Sequence, residues 1–466
     1  MTNNKILKDL IEIVGAEYVS ADIADLIPYE RDDQFFLVPP HRPDYVVRPI
    51  DKFEIQKIIK LANKNKIPII PLASGINRKG LCIAQEGGIL LDLRRMQNIE
   101  ILPDMMIARV EPGVNFAQLV VALNEFPELR CITPDAPATA SVLANYMLRG
   151  IYATSTRYGI DHLLTMEICL PNGEFLDTGS GATPNSIGPY CGIVNGPDLT
   201  KLFQANPGTF GVVTQGRIRL YNMPEVIDAI IITYPDLESM IEPAKQFTLR
   251  DLVAGVWIWT FSEDALKIIM DLRSADEEWF AHMIYLEGNA DDVERQKEEV
   301  LKIAEKYGGK ELILPPDFKN EFILDHRYMR GDIRGWRKGN LYGHSFYGTL
   351  KNILKYYETG KRLCKKYGFS GYHFEALPVS PFHGELMYTD PCILWDAGNA
   401  EQVKKIKQLH QELRRELLKI GIYGFFRAFP GVVKSEELGI YGDIWRKIKK
   451  LIDPNNIMNP GKPPLT

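Results

Sequence analysis

Pro71-Leu-Ala-Ser-Gly-Ile-Asn-Arg-Lys-Gly80 is the stretch on which the reading of this chain turns. It follows a short apolar run, Ile67-Pro-Ile-Ile70, that reads as a buried strand. The loop carries a glycine at position 75, where the backbone can come close to a ligand, and it offers successive N–H groups. A concave run of amides binds phosphate, because aimed donors replace the water around the anion. The loop is neither a Walker loop nor a G-x-G-x-x-G fingerprint, and a plain strand-to-strand turn can carry the same residues.

Upstream of the loop, Asp51 caps a helix whose apolar face is Ile55, Ile58, Ile59 and Ala62. Downstream, Gly88–Leu93 and Met106–Val110 read as strands, and Leu164–Leu170 runs into the hairpin signal Pro171-Asn-Gly-Glu174. Gly211–Thr214 and Arg217–Leu220 read as a further strand pair. After Pro224 the texture changes: strands such as Val226–Tyr234 and Val253–Thr260 alternate with longer charged helices. Asp291–Tyr307 has helical periodicity with Gly308-Gly309 as its C-cap. Val403, Ile406, Leu409, Leu413, Leu417 and Ile420 form one apolar stripe. The spacing predicts an α+β fold with a boundary near 225 and a return near 421. The domains are then 1–224, 225–421 and 422–466.

Composition narrows the function. With 466 residues, 45% hydrophobic and 25% charged, the chain is neither disordered nor collagen-like, and it is too long for a mini-protein. A net charge of −5 lacks the basic field of a nucleic-acid binder. The six cysteines are far apart with no C-x-x-C pair, which argues against zinc or iron–sulfur ligation and for reduced thiols. No apolar run approaches the roughly 18 residues of a membrane span, and the N-terminus is interrupted by charge. A soluble, cytoplasmic protein is expected.

Three later segments give the loop its meaning: Glu111-Pro-Gly-Val-Asn115; Thr133-Pro-Asp135 through Ser141-Val-Leu-Ala-Asn145, followed by Arg157-Tyr-Gly-Ile-Asp-His162; and Asn206-Pro-Gly-Thr-Phe-Gly-Val-Val-Thr214. In this order, and with the ending Asp453-Pro-Asn-Asn-Ile-Met-Asn-Pro-Gly-Lys462, the chain resembles the vanillyl-alcohol oxidase/p-cresol methylhydroxylase (VAO/PCMH) flavoprotein family, nearer its aryl-alcohol branch than its D-lactate/glycolate branch. The resemblance implies a PCMH-type FAD-binding domain built from both chain ends and an α+β cap over the flavin. It implies cofactor contacts at Leu72, Ala73, Ser74, Gly75, Ile76 and Asn77, at Thr139, Ser141 and Asn145, at Val212 and Val213, and at Lys462, although a solvated tail lysine is an equal reading of the last. Tyr158 and His162 read as structural supports.

The same resemblance implies hydride transfer from an activated C–H bond of a small anionic or aromatic hydroxy substrate to flavin N5. Where the phenol-oxidising branch has N-x-x-D-R-G, this chain has Asn145-Tyr-Met-Leu-Arg-Gly150, so Leu148 replaces the carboxylate. The candidates left for the chemistry are Arg427 and Arg78, whose forks suit a carboxylate or phenolate, and His383 as a base near Tyr388. The alternatives are a D-2-hydroxyacid dehydrogenase, a flavin-dependent synthase, or a non-catalytic flavoprotein subunit. No metal site is expected, because His373 and His383 do not match the spacing of the D-lactate branch. Non-covalent FAD is expected, with Tyr388 as the residue for any covalent link. Expected partners are the substrate and an electron acceptor (an electron-transfer flavoprotein, a cytochrome or an iron–sulfur subunit), with a homo-oligomer as the assembly and no nucleic acid. The Arg-rich stretch His326–Lys338 reads as a solvated basic loop.

Overall fold

A helix and three parallel strands set the first layer. In the computed structural model, Asp51 accepts from the backbone N–H groups of Phe53 and Glu54 and starts the helix Lys52–Asn65. That helix buries Ile55, Ile58, Ile59 and Ala62, the face its periodicity predicts. It packs on a four-stranded sheet of β1 (Val19–Ser20), β2 (Tyr45–Val47), β3 (Ile69–Leu72) and β4 (Ile89–Asp92) in the order β1-β2-β4-β3. The pairs β2–β4 and β3–β4 are parallel. The structure describes residues 2–32, 35–76, 80–134, 136–150, 152–183, 185–186, 188–193, 196–262, 278–313, 340–343, 346–379, 386–424 and 438–462.

A second sheet contains β5 (Ile99–Leu102), β6 (Ile107–Val110), β8 (Leu163–Cys169), β9 (Phe175–Asp177) and β10 (Val212–Arg219). Beside it, β7 (Leu129–Arg130) pairs with β11 (Tyr221–Asn222). Residues 211–220, expected as two strands, form the single strand β10, which pairs with β6 on one side and β8 on the other. The reason is local. Gly216 is not a turn residue: a Cβ there would lie 2.2 Å from Leu143 Cδ1, so the glycine admits the helix Val142–Met147 onto the sheet.

From residue 226 the chain builds a third sheet, with nine strands among the described residues. They are β12 (Val226–Tyr234), β13 (Gly255–Phe261), β14 (Trp279–Gly288), β15 (Lys310–Leu312), β16 (Asn340–Gly343), β17 (Phe346–Thr349), β18 (Tyr372–Pro378), β19 (Leu386–Trp395) and β20 (Tyr423–Gly424). The helices Glu238–Leu249, Ala290–Glu305, Ile353–Lys366 and Ala400–Lys419 cover one face, in a core that includes Phe247, Val300, Leu363 and Leu413. The chain then returns: Trp445, Ile448 and Ile452 of the helix Gly439–Ile452 pack on the second sheet. Met458 bridges Ile69 of β3 in parallel.

The uncovered face of the third sheet meets the first half. Gly255 lies so close to Ala153 that a Cβ would sit 1.8 Å from its carbonyl oxygen. Arg130 clasps Glu287 with two hydrogen bonds of 2.8 and 2.7 Å, and Tyr158 Oη donates to the same carboxylate at 2.9 Å. With Glu287 2% exposed, this is a buried ion pair. Removing one partner leaves an uncompensated charge, a loss of about 3–5 kcal/mol. Glu287→Ala is therefore expected to lower the thermal unfolding midpoint more than the paired change Arg130→Met/Glu287→Leu does, as read by scanning calorimetry.

Candidate active site

The loop after β3 leaves the carboxyl edge of a parallel sheet, where α/β folds place their ligands. Leu72 is buried and anchors it, Ala73 and Ser74 are half-buried, and Gly75 and Ile76 are exposed. Gly75 has φ +75°, a left-handed conformation that costs a glycine little. Among the described residues, no acceptor meets the backbone N–H groups of Ser74, Gly75 and Ile76.

The loop's far end is held from three sides. The Gly80 N–H donates to Asp32, and Val38 occupies the space a Gly80 Cβ would need. Lys462 Nζ donates to the Gly80 carbonyl at 2.6 Å and reaches Gln85 Oε1 at 3.4 Å. Lys462 is fully buried, not a solvated tail residue. Burial pulls its pKa down to about 8, against the opposing pull of Cys82 and Asp32. Among the described residues it makes no ion pair with a carboxylate.

Beside the loop runs a cleft of about 150 Å³ between the first and second sheets, lined by Ser74, Gly75, Pro112, Leu148, Gly208 and Val213 among others. The wall opposite the loop is the helix Val142–Met147. Its N-cap Ser141 accepts from the Ala144 N–H and donates its one hydroxyl proton to Pro112 O at 2.7 Å. The turn 206–209 closes the next side, where Asn206 Oδ1 accepts from both the N–H and the hydroxyl of Thr209. Strand alternation turns Val213 into the cleft, while Val212 lies in the core of the first sheet.

The structure thus brings together Ala73, Ser74, Gly75, Ile76 and Val213 on the cleft, with Leu72 and Lys462 fixing the loop. Thr139 is exposed beyond the cleft, and Asn145 accepts a hydrogen bond from Tyr152 Oη at 3.0 Å. Asn77, Arg78, His383 and Arg427 lie outside the described residues. Leu148 lines the cleft beside Met147, so the wall is apolar where the aryl-alcohol pattern has a carboxylate. His162 is buried and held neutral, its pKa pulled down to about 3 by burial. It shares a 2.8 Å hydrogen bond with Tyr221 Oη, a packing role.

Sequence reasoning missed the residues that hold the walls. Lys449 Nζ donates to Thr209 O, Asp453 and Met458 O at 2.6, 2.6 and 2.8 Å. Asn459 Nδ2 donates to Leu81 O and Pro207 O, one on each side of the cleft. The i,i+4 spacing of Lys449 and Asp453 was the only signal, and it reads equally as a surface pair. Amides without an acceptor among the described residues, beside an apolar wall, fit a ligand that is anionic at one end and apolar at the other.

Comparison with known proteins agrees. The family described as "FAD binding domain" matches residues 43–179, and "FAD linked oxidases, C-terminal domain" matches residues 441–463. The chain is 25% identical to a mitochondrial D-lactate dehydrogenase [cytochrome] of Arabidopsis thaliana, over 94% of this chain and 78% of that protein. It is 26% identical to the 4-cresol dehydrogenase [hydroxylating] flavoprotein subunit of Pseudomonas putida, over 98% of this chain and 95% of the relative. The solved structure of p-cresol methylhydroxylase with substrate bound superposes with a TM-score of 0.86 at 23% identity, covering 99% of this chain and 96% of that one. No helix among the described residues is long and apolar enough to cross a membrane. The chain is an FAD-linked oxidoreductase whose cofactor is FAD, and it is similar to the VAO/PCMH flavoproteins in sequence and fold.

Proposed function

We propose that the protein oxidises an activated C–H bond of a small aromatic hydroxy or anionic substrate held between the cleft and the third sheet. Residues 1–224 and 422–466 hold the cofactor in this reading, and residues 225–421 form the cap. FAD, when bound, supplies a hydride acceptor at N5 of its ring system. The observation that carries the reading is the polarity of the cleft lining: amides at Ser74, Gly75 and Ile76 that meet no acceptor among the described residues, together with the apolar Met147 and Leu148.

The cap supports the substrate class. Trp257, Tyr285 and Leu377 pack with Ala153 of the first half, so the sheet face turned toward the cleft side is rich in aromatic rings. Such walls exclude water and sharpen every charge interaction within. Leu148 has no group that accepts a proton, so the substrate proton goes elsewhere. We assign it to His383, with Arg78 and Arg427 orienting a phenolate or carboxylate in fork geometry. A D-2-hydroxyacid substrate is the second reading, favoured by relatives named D-lactate dehydrogenase and glycolate oxidase subunit. FAD is held non-covalently in this proposal; the buried Tyr388 is where a flavin adduct would be sought. The proposed setting is a cytoplasmic homo-oligomer passing electrons to a flavoprotein, cytochrome or iron–sulfur acceptor. No disulfide joins any of the six cysteines, which suits a reducing compartment.

An anaerobic screen of aryl alcohols and 2-hydroxy acids tests the function. Bleaching of the flavin by an aryl alcohol is expected; bleaching by 2-hydroxy acids alone would transfer the assignment to the second reading, and bleaching by neither class would end both. Replacing Ser74 and Gly75 with Asp should crowd and repel the diphosphate, and the purified variant should lose its yellow colour. Stoichiometric flavin in that variant would refute the loop assignment.

Lys462 gives a pH signature. A lysine whose folded pKa is depressed disfavours its own ammonium, so in the FAD-free chain it costs stability at neutral pH. That cost is relieved as pH rises from about 8 toward the unfolded value of 10.5. A diphosphate beside the loop favours the ammonium and reverses the trend. FAD binding near pH 8 is therefore expected to take up a proton, measurable by calorimetry in buffers of different ionisation enthalpy. Lys462→Met should bind FAD more weakly and abolish the uptake.

A further inference from the structure

The cap-sheet face turned toward the first half carries more than aromatic rings. Directly paired residues of neighbouring strands point the same way. Trp259 stands opposite Glu375, Phe261 opposite His373, and His373 opposite Cys392. Alternation along β13 and β18 sets these on the same face as Trp257 and Leu377, which pack with Ala153. One ring nitrogen of His373, one carboxylate oxygen of Glu375 and Cys392 Sγ all lie within 4.8 Å of one another. His373 and Cys392 are buried and Glu375 is half-buried.

The imidazole is oriented from behind. His373 Nδ1 lies 2.8 Å from the carbonyl oxygen of Thr260, which can only accept, so Nδ1 carries a proton and donates it. Nε2 is thereby turned to Glu375 Oε1, 2.6 Å away. The ring stacks on Phe261, with centroids 4.1 Å apart and planes 18° from parallel. A carbonyl that fixes one ring nitrogen and presents the other is the arrangement that positions metal-binding histidines.

We propose that His373, Glu375 and Cys392 bind a divalent transition-metal ion of the zinc class. The donor set decides the class: calcium and magnesium take oxygen ligands, whereas imidazole, carboxylate and thiolate together suit zinc. A nitrogen–oxygen contact of 2.6 Å requires one proton between the two atoms. The ion takes the place of that proton and of the Cys392 thiol proton, and both leave to solvent. Three protein donors leave the fourth tetrahedral position to an oxygen ligand. The ion would tie β18 to β19 on the inner face of the cap. This proposal rests on the third sheet alone and does not depend on the substrate assigned above.

The test uses the full-length, flavin-containing protein. It is stripped with a chelator, dialysed against zinc chloride at micromolar free zinc, and analysed for metal content; zinc-edge X-ray absorption then reads the ligand shell. The expected result is one zinc per chain with a mixed shell of one sulfur and the remainder nitrogen or oxygen. His373→Gln and Cys392→Ser, each retaining full flavin content, should lose stoichiometric zinc. Sub-stoichiometric zinc in the parent overturns the proposal. So does a shell without sulfur, a reading that needs no variant to fold, and so does full zinc retention in both flavin-containing variants.

Discussion

Two buried ammonium groups, Lys449 and Lys462, hold the walls of the cleft and its loop together. Lys449 spends its three protons on Thr209 O, Asp453 and Met458 O, joining the last helix, the tail and the turn at 206–209. Lys462 fastens the far end of the loop that follows β3 through the Gly80 carbonyl. A buried cation is tolerated only when its donors are satisfied, so each lysine fixes backbone geometry to within hydrogen-bond tolerance. Between them, Asn459 reaches carbonyls on both sides of the cleft. The first two sheets are therefore tied together by residues 449–462.

That closure differs in kind between the two lysines. Lys449 has a carboxylate partner, Asp453, which is buried with it. Lys462 has only neutral acceptors among the described residues, and burial depresses its pKa to about 8. The first is a finished structural tie. The second fastens Gly80, at the far end of a loop whose N–H groups at Ser74, Gly75 and Ile76 meet no acceptor among the described residues. An anionic diphosphate is the group that both features suit.

The cap is seated by contacts that leave little freedom. The 1.8 Å clearance beneath a Gly255 Cβ means that only glycine lets β13 approach Ala153. Thr156 Oγ1 donates to Pro378 O and accepts from the Val256 N–H, so one short segment of the first half touches both β13 and β18. Phe36 adds an edge-to-face contact with Trp395, at 5.1 Å between centroids. Since Val38, two residues on, packs against Gly80, the cap and the phosphate loop share one segment as a common support.

Some of this was readable from residue order. The apolar spacing of residues 55–62 and 406–417 gave helices with the predicted buried faces, because a helix repeats every 3.6 residues whatever it packs against. The Pro-Asn-Gly hairpin and the PCMH-type two-domain fold were also legible, since they rest on local backbone demands and motif order. The strand pair at 211–220 was misread because a glycine needed for helix packing looks the same in sequence as one needed for a turn. Lys462 was ambiguous for a related reason: burial of a tail lysine depends on carbonyls at residue 80, nearly the whole chain away. Residue order alone fixed the helices at 52–65 and 400–419 and the hairpin at 171–174, because each rests on local spacing. Which polar side chains meet, as His373, Glu375 and Cys392 do, came from the folded arrangement, because cross-strand register is a property of paired strands and not of either strand alone.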